Sequence, residues 1–303
     1  MLRNLWRKSF IYKKFEDFVE AKAAKVARKM INNEIWTAFG NEFDMRLKKY
    51  IGDGTFIYCY TDSLVAQAIF KETFEQEELL FLKRFLKSKD NFIDIGANIG
   101  LFSLLASRYV GTEGIICSFE PTSITYQRLQ ENIQLNGLKN IRSYRLALSD
   151  TNGQAELQIA SEGYDAWNSL AKPSSGKVVN SETVATLTLD SFVEKENIEN
   201  VSLIKIDVEG WEIPVLQGAK SLLSSPNAPT LMVEFMEENA QNAGFSCKEL
   251  YQLLVDYGYE LFTYDAAKNR LISESLRAHY PYLNIIATKQ PKSVEQKLKT
   301  KQV

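Results

Sequence analysis

The chain has 303 residues, 45% of them hydrophobic, 12% aromatic and 24% charged, the proportions of a folded chain with a sizeable core and not of a solvated polymer. No apolar run approaches the roughly 20 residues that a bilayer-spanning helix needs, so a spanning helix is excluded. The net charge of −2 is unevenly spread: residues 1–30 carry +6, residues 289–303 carry +4 and the middle carries −12, an acidic body ill suited to a nucleic-acid backbone.

The opening Met1-Leu-Arg-Asn-Leu-Trp-Arg-Lys is basic but has no apolar stretch behind it, so it is not read as a secretory signal. Cys59, Cys117 and Cys247 are odd in number and lack CxxC spacing. That pattern opposes a disulfide scaffold or a zinc site and favours a reducing compartment, the cytoplasm, and no metal ligand set is assigned. Residues 1–50 read as helix, with few breakers before Gly40. This basic segment is either a packing helix with a charged outer face or a contact for a membrane surface or partner.

Lys49–Tyr60 reads as a hairpin around Gly52-Asp53-Gly54, and Glu72–Lys87 as a helix. Residues 1–88 are therefore expected to form a helical and hairpin appendage. From Asn91 short apolar strands alternate with amphipathic helices, the mark of a parallel sheet covered on both faces. The strands are Phe92–Ile95, Gly114–Phe119, Ile141–Leu148, Val201–Val208, Leu231–Phe235, Glu260–Tyr264 and Leu283–Thr288. Helices are expected over Leu101–Val110, Ile124–Asn136, Pro214–Leu223 and Lys248–Tyr257. Gln154–Ala160 is an added strand leading into an irregular insert, 162–183, in which Trp167 either stacks on a flat apolar face or anchors the loop. The α/β domain spans 89–290, and 291–303 is expected to be a basic, flexible tail.

The most informative segment is Phe92-Ile-Asp94-Ile-Gly96-Ala-Asn98-Ile-Gly100, a buried strand, a tight turn and a helix start. Gly96 and Gly100 would let backbone approach a ligand, and Asn98 tolerates a left-handed conformation. Glu120, at the end of the next strand, can accept both hydroxyls of a ribose. A dinucleotide site wants G-x-G-x-x-G with room for a pyrophosphate. The pattern here is D-x-G-x-N-x-G, and a carboxylate at Asp94 repels pyrophosphate but suits a cationic donor such as S-adenosyl-L-methionine.

These residues, with Phe119-Glu120-Pro121, Ala147-Leu148-Ser149-Asp150, Leu187-Thr-Leu-Asp190 and Ile204-Lys-Ile-Asp-Val-Glu-Gly210, resemble the FkbM family of methyltransferases in the same order over about 70–290. The resemblance implies a Rossmann-like, seven-stranded, mostly parallel sheet whose last strand, Leu283–Thr288, is antiparallel, with S-adenosyl-L-methionine as cofactor. It implies that Asp94, Gly96, Asn98 and Gly100 frame the methionine portion, that Glu120 binds the ribose and that Ala147, Leu148 and Ser149 lie by the adenine. Thr73-Phe74-Glu75 resembles a position that closes over the donor. Trp211 stands where the family commonly has a small residue.

Without the family, Leu203-Ile-Lys205-Ile-Asp207-Val-Glu209-Gly210 is anomalous, because a central strand should be almost wholly apolar. Alternation puts Lys205, Asp207 and Glu209 on one face, and a buried Lys205 needs a partner, Asp207 or Glu234. Asp94, Glu120, Asp207 and Glu234 fall near the carboxyl ends of four strands, an acidic rim for a cationic ligand. If the acceptor is a hydroxyl, as the family implies, the candidate catalytic bases are Asp207, Glu209 and His279, with Asp207 first. The expected activity is O-methylation of a glycan, polyketide or other secondary metabolite. A dinucleotide-dependent oxidoreductase and a non-catalytic binding module are the alternatives.

Overall fold

The computed structural model describes residues 2–39, 45–160, 168–171 and 178–300, with side chains from Ala21 onward except Val179. Two compact units result: residues 1–47 with 59–74, and residues 48–58 with 75–303. The insert residue Trp167 lies outside the described residues. Among them no helix is long and apolar enough to cross a membrane.

In the smaller unit α1 (Leu2–Phe39) is one long helix. The helix expected to residue 50 does not reach that far, because Arg46–Gly52 alternates exposed and half-buried residues as strand β1. It pairs with β2 (Thr55–Tyr60) across the expected turn, where Gly52, Asp53 and Gly54 all take positive φ. A helix that was not expected, α2 (Leu64–Phe70), begins at Ser63, whose hydroxyl accepts the Ala66 N–H at 3.0 Å. Trp36 packs on Phe70 with ring centroids 5.5 Å apart.

In chain order the larger unit continues with α3 (Gln76–Phe85), β3 (Asn91–Ile95), α4 (Leu101–Val110), β4 (Ile116–Phe119), α5 (Ser123–Leu135), β5 (Ile141–Tyr144), β6 (Ala147–Leu148), β7 (Gly153–Ala160) and β8 (Val178–Leu187). Then come α6 (Leu189–Glu196), β9 (Val201–Ile206), α7 (Glu212–Gln217), α8 (Lys220–Ser224), β10 (Thr230–Phe235), α9 (Glu237–Asn242) and α10 (Cys247–Asp256). It closes with β11 (Glu260–Asp265), β12 (Arg270–Ser273), β13 (Leu283–Thr288) and α11 (Pro291–Lys299). The main sheet has the order β12-β11-β13-β10-β9-β3-β4-β5. From β5 to β10 the strands are parallel, and β13 runs antiparallel to both β10 and β11 as expected. The count is eight and not seven, because β12 adds to the β11 edge from within what read as a loop.

Four further differences have local causes. The strand expected over 141–148 breaks after Tyr144, because Ala147 and Leu148 pair with β8 and bury with Leu157 and Val184 in a separate sheet of order β6-β8-β7. The helix expected over 214–223 divides at Gly218, where a Cβ would stand 2.0 Å from the Ser149 carbonyl oxygen. Asp190 then caps α8, accepting the Ser221 and Leu222 N–H groups at 2.7 and 2.9 Å. The expected flexible tail is helix α11 through Lys299, held by buried Val294 and Leu298 and by a 2.6 Å Lys297–Asp90 pair.

The boundary expected at residue 88 falls elsewhere too. Helix α3 belongs to the larger unit, where Phe81 meets Tyr264 edge-on at 5.2 Å and Arg84 donates to the Tyr264 hydroxyl and the Ala266 carbonyl. So does the hairpin tip. The Asn136 side chain bonds both main-chain groups of Phe56, at 2.8 and 2.7 Å, and Asn132 accepts the Tyr58 N–H at 2.7 Å. All three cysteines are buried free thiols.

Candidate functional site

Strand order reverses between β3 and β9, since β4 and β5 follow β3 to one side while β9 leads to β10 on the other. In open α/β sheets ligands bind beyond the carboxyl ends of the strands at such a switch point. Register places Asp94 opposite both Ser118 and Lys205, Lys205 opposite Met232, and Glu234 opposite Asn284. Residues in register share a sheet face, so Ser118, Asp94 and Lys205 form a polar row across β4, β3 and β9, which Met232 ends, with the Glu234–Asn284 pair two residues further along the same face.

The corner after β3 is fixed by its own chain. Gly96 has φ +81°, and a Cβ there would stand 1.8 Å from the Asp207 carbonyl oxygen. Gly100 has φ +95°, with Leu129 Cδ1 at 2.5 Å from the same hypothetical atom. The missing side chains thus make room for β9 and α5, where the sequence suggested room for a ligand. Asn98 is left-handed at φ +49°. Its N–H donates to Glu120 Oε2 at 3.1 Å, and the Thr122 N–H donates to Glu120 Oε1 at 2.9 Å. The Glu120 carboxylate, buried at the β4 end, is therefore oriented by main-chain donors on both oxygens.

Asp94 is buried at the end of β3. Its Oδ2 accepts from Ser103 Oγ at 2.5 Å, and Ser103 lies 2.7 Å from Ser118 Oγ. Its Oδ1 is buried with no hydrogen-bond partner among the described residues. Burial pushes the Asp94 carboxyl up, against the pull of Lys205 and Ser103.

Lys205 is 3% exposed, with its ammonium 2.5 Å from Asp207 Oδ2 and 4.8 Å from the Phe102 ring centre. Of the two expected partners, Asp207 is the one that binds it. Burial alone would lower its pKa, but the carboxylates of Asp207, Glu75 and Asp94 more than reverse this and raise it. Glu75 precedes α3 in a left-handed conformation at φ +39°. Its Oε1 accepts from the Tyr282 hydroxyl at 2.8 Å, and its Oε2 is buried and unpartnered among the described residues. Burial, then repulsion from Asp207 and Glu78, pushes its carboxyl up to about 7 while Lys205 and Tyr282 hold it down.

The shared face expected for Lys205, Asp207 and Glu209 ends with the strand. β9 stops at Ile206, and Glu209 (φ +55°) and Gly210 (φ +99°) turn the chain. A Cβ on Gly210 would lie 2.3 Å from the Asn239 carbonyl oxygen. Glu209 Oε2 accepts from Asn239 Nδ2 at 2.5 Å, and its main-chain oxygen accepts from Ser169 Oγ at 2.8 Å. Asp207, Glu209 and Glu234 come together, each offering an oxygen within 4.8 Å of the others. His279 does not join them; it is exposed on the connection between β12 and β13.

Ala147, Leu148 and Ser149 are buried beyond the β5 end. Trp211 donates its indole N–H to Ser149 Oγ at 3.0 Å and so braces that segment. Glu212 accepts the Val208 and Gly210 N–H groups, and burial pushes its carboxyl up to about 7. Sequence reasoning missed Tyr282, Asn239 and Glu212. Only Glu212 had a local signal, an acid two residues after a glycine at a helix start.

A family model described as the methyltransferase FkbM domain matches residues 94–261, more than half of the chain. Hexuronic acid methyltransferase AglP of Haloferax volcanii is 29% identical over 180 residues, 59% of this chain and 67% of that protein. Methyltransferase sdnD of Sordaria araneosa is 25% identical over 188 residues, 53% of this chain and 71% of that one. The 2-O-methyltransferase NoeI of Sinorhizobium fredii is 24% identical over 177 residues, with coverages of 54% and 71%.

Proposed function

The chain belongs to the methyltransferase FkbM family, and from that premise we propose that it moves the methyl group of S-adenosyl-L-methionine to a hydroxyl of a glycan, polyketide or other secondary metabolite. The name of one relative, a hexuronic acid methyltransferase, supports a sugar-derived acceptor, and that of another, a 2-O-methyltransferase, supports transfer to oxygen. An oxidoreductase finds no support in a corner that carries Asp94 where a pyrophosphate would sit.

The residues present fit the donor. Asp94 Oδ1, an orphaned buried acceptor, suits a positively charged or N–H group. The two Glu120 oxygens are oriented by main-chain donors at the β4 end, where a carboxylate can accept from ribose hydroxyls. With Gly96, Asn98 and Gly100 on one side and Ala147, Leu148 and Ser149 on the other, these residues would hold it. When bound, the donor supplies an electrophilic methyl group with a neutral leaving sulfide.

Alignment is then the chain's main task, since orientation contributes roughly 7–11 kcal/mol and a general base about 10²–10⁴-fold. Lys205 fixes one oxygen of Asp207, which leaves Oδ1 to take the hydroxyl proton. Glu209 is a weaker candidate, because the Asn239 amide holds its Oε2, and burial and its acidic neighbours push its carboxyl well up. The observation that carries this reading is the position of Asp207, just past the β9 end and against the Gly96 turn.

The test pairs calorimetric titration with S-adenosyl-L-methionine and NAD with turnover on a panel of hydroxylated sugars and polyketides. Asp207→Asn is expected to keep donor affinity and lose about 10²–10⁴-fold in rate. Parental turnover by that variant would remove Asp207 from the role, and binding of NAD in place of the donor would overturn the reading.

A further inference from the structure

Around Lys205 and just beyond it lie Glu75, Asp94, Asp207, Glu209, Glu212 and Glu234, six carboxyls against one buried ammonium. Burying that much like charge is unfavourable unless protons or cations balance it. Glu212 is satisfied by main-chain N–H groups, and Asp94 and Glu75 each have one bonded oxygen. The remaining three, Asp207, Glu209 and Glu234, are the ones whose oxygens converge within 4.8 Å.

One observation besides the clustering points to something seated there. Asn239 is 2% exposed and spends its amide N–H on Glu209, which leaves its Oδ1 buried and unpartnered. A buried acceptor of this kind costs about 1–3 kcal/mol when unmet.

We propose that Asp207, Glu209 and Glu234, with Asn239 beside them, form an all-oxygen site for a hard divalent cation of the Mg²⁺, Mn²⁺ or Ca²⁺ class. Ligand oxygens on opposite sides of such an ion lie roughly 4.0–5.2 Å apart, the span within which these three carboxylates already sit. Carboxylate and amide oxygens without nitrogen or sulfur select these ions over zinc or copper. Asp207 contributes the oxygen that Lys205 does not hold, and a carboxylate oxygen has lone pairs enough for a cation and an incoming proton.

The site would neutralise the rim and hold an acceptor oxygen beside Asp207. That last role rests on the methyl-transfer reading; cation binding does not, and it is measured without donor or acceptor. The full chain, stripped with EDTA and dialysed, is titrated calorimetrically with MnCl₂, MgCl₂ and CaCl₂, and its melting temperature is followed in parallel. One saturable site is expected for at least one ion, together with a rise in melting temperature. Glu234→Gln and Glu209→Gln should each weaken it more than tenfold, and Asn239→Leu several-fold.

Glu234→Gln removes a repelled charge, so it should melt no lower than the parent in the absence of metal. Failure of the parental chain to bind any of the three ions up to about 10 mM would overturn the site. So would parental affinity in both glutamine variants. Because the parental titration needs no variant to fold, the proposal stays decidable.

Discussion

Replacing Lys205 by Met isolates the charge balance on which the site depends. At 2.5 Å and an effective dielectric of about 20, its attraction to Asp207 is roughly 7 kcal/mol before desolvation is subtracted. Removing one partner of a buried pair leaves a net cost of about 3–5 kcal/mol. With an unfolding entropy of about 2 cal/mol/K per residue, a chain of this length should melt roughly 5–8 °C lower.

The cost should depend on pH in one direction. The raised pKa of Lys205 keeps the ammonium charged throughout the measurable range, so its contribution is complete below the unfolded value of 10.5. The Glu75 carboxyl, already near 7 with Lys205 beside it, would rise further in the variant. The variant therefore loses stability relative to the parent as pH rises through 7, where the parental carboxyl ionises, whereas toward pH 5 the carboxyl is protonated in both. Differential scanning calorimetry of parent and Lys205→Met at pH 8.5 and 5.5 should therefore show the larger gap at pH 8.5. Equal melting temperatures at pH 8.5, or a gap that widens toward pH 5.5, would refute the charge-balance reasoning.

Glu75→Gln should act the opposite way. A carboxyl displaced from 4.5 to about 7 costs the folded state roughly 3 kcal/mol above pH 7 and nothing below pH 4.5, so the variant should melt higher at pH 8.5 and match the parent near pH 4, as thermal scans can show. Gly96→Ala must place a Cβ 1.8 Å from the Asp207 carbonyl; calorimetry should find donor affinity down more than tenfold, and the melting temperature should fall with it. Asn132→Ala strips partners from the Tyr58 N–H and the Ile99 carbonyl; urea denaturation should report a loss of about 2–4 kcal/mol.

What was legible in the sequence was what short-range pattern encodes. Strand-to-helix alternation from Asn91 onward and the D-x-G-x-N-x-G turn depend on neighbours a few residues apart. Lys205, Asp207 and Glu209 stood out because ions in a central strand are anomalous. The partners that complete the site come from far along the chain, and nothing near Asn239 or Tyr282 announces them, while Glu75 was marked only by the family resemblance. The glycines were found for one reason and kept for another, since what fills the space at Gly96 is a carbonyl 111 positions later. The break after Tyr144 carries no Gly or Pro to mark it, and α11 hid its anchors, Val294 and Leu298, among lysines.

The bend after β9 lays the Asp207 carbonyl against the main chain of the turn after β3, with the Val208 side chain beside the contact. A backbone joint of that sort has no slack, so a shift in either strap is carried to the other. Whatever settles against one strap therefore alters the shape offered at its neighbour, and such mutual influence on binding is equal in both directions.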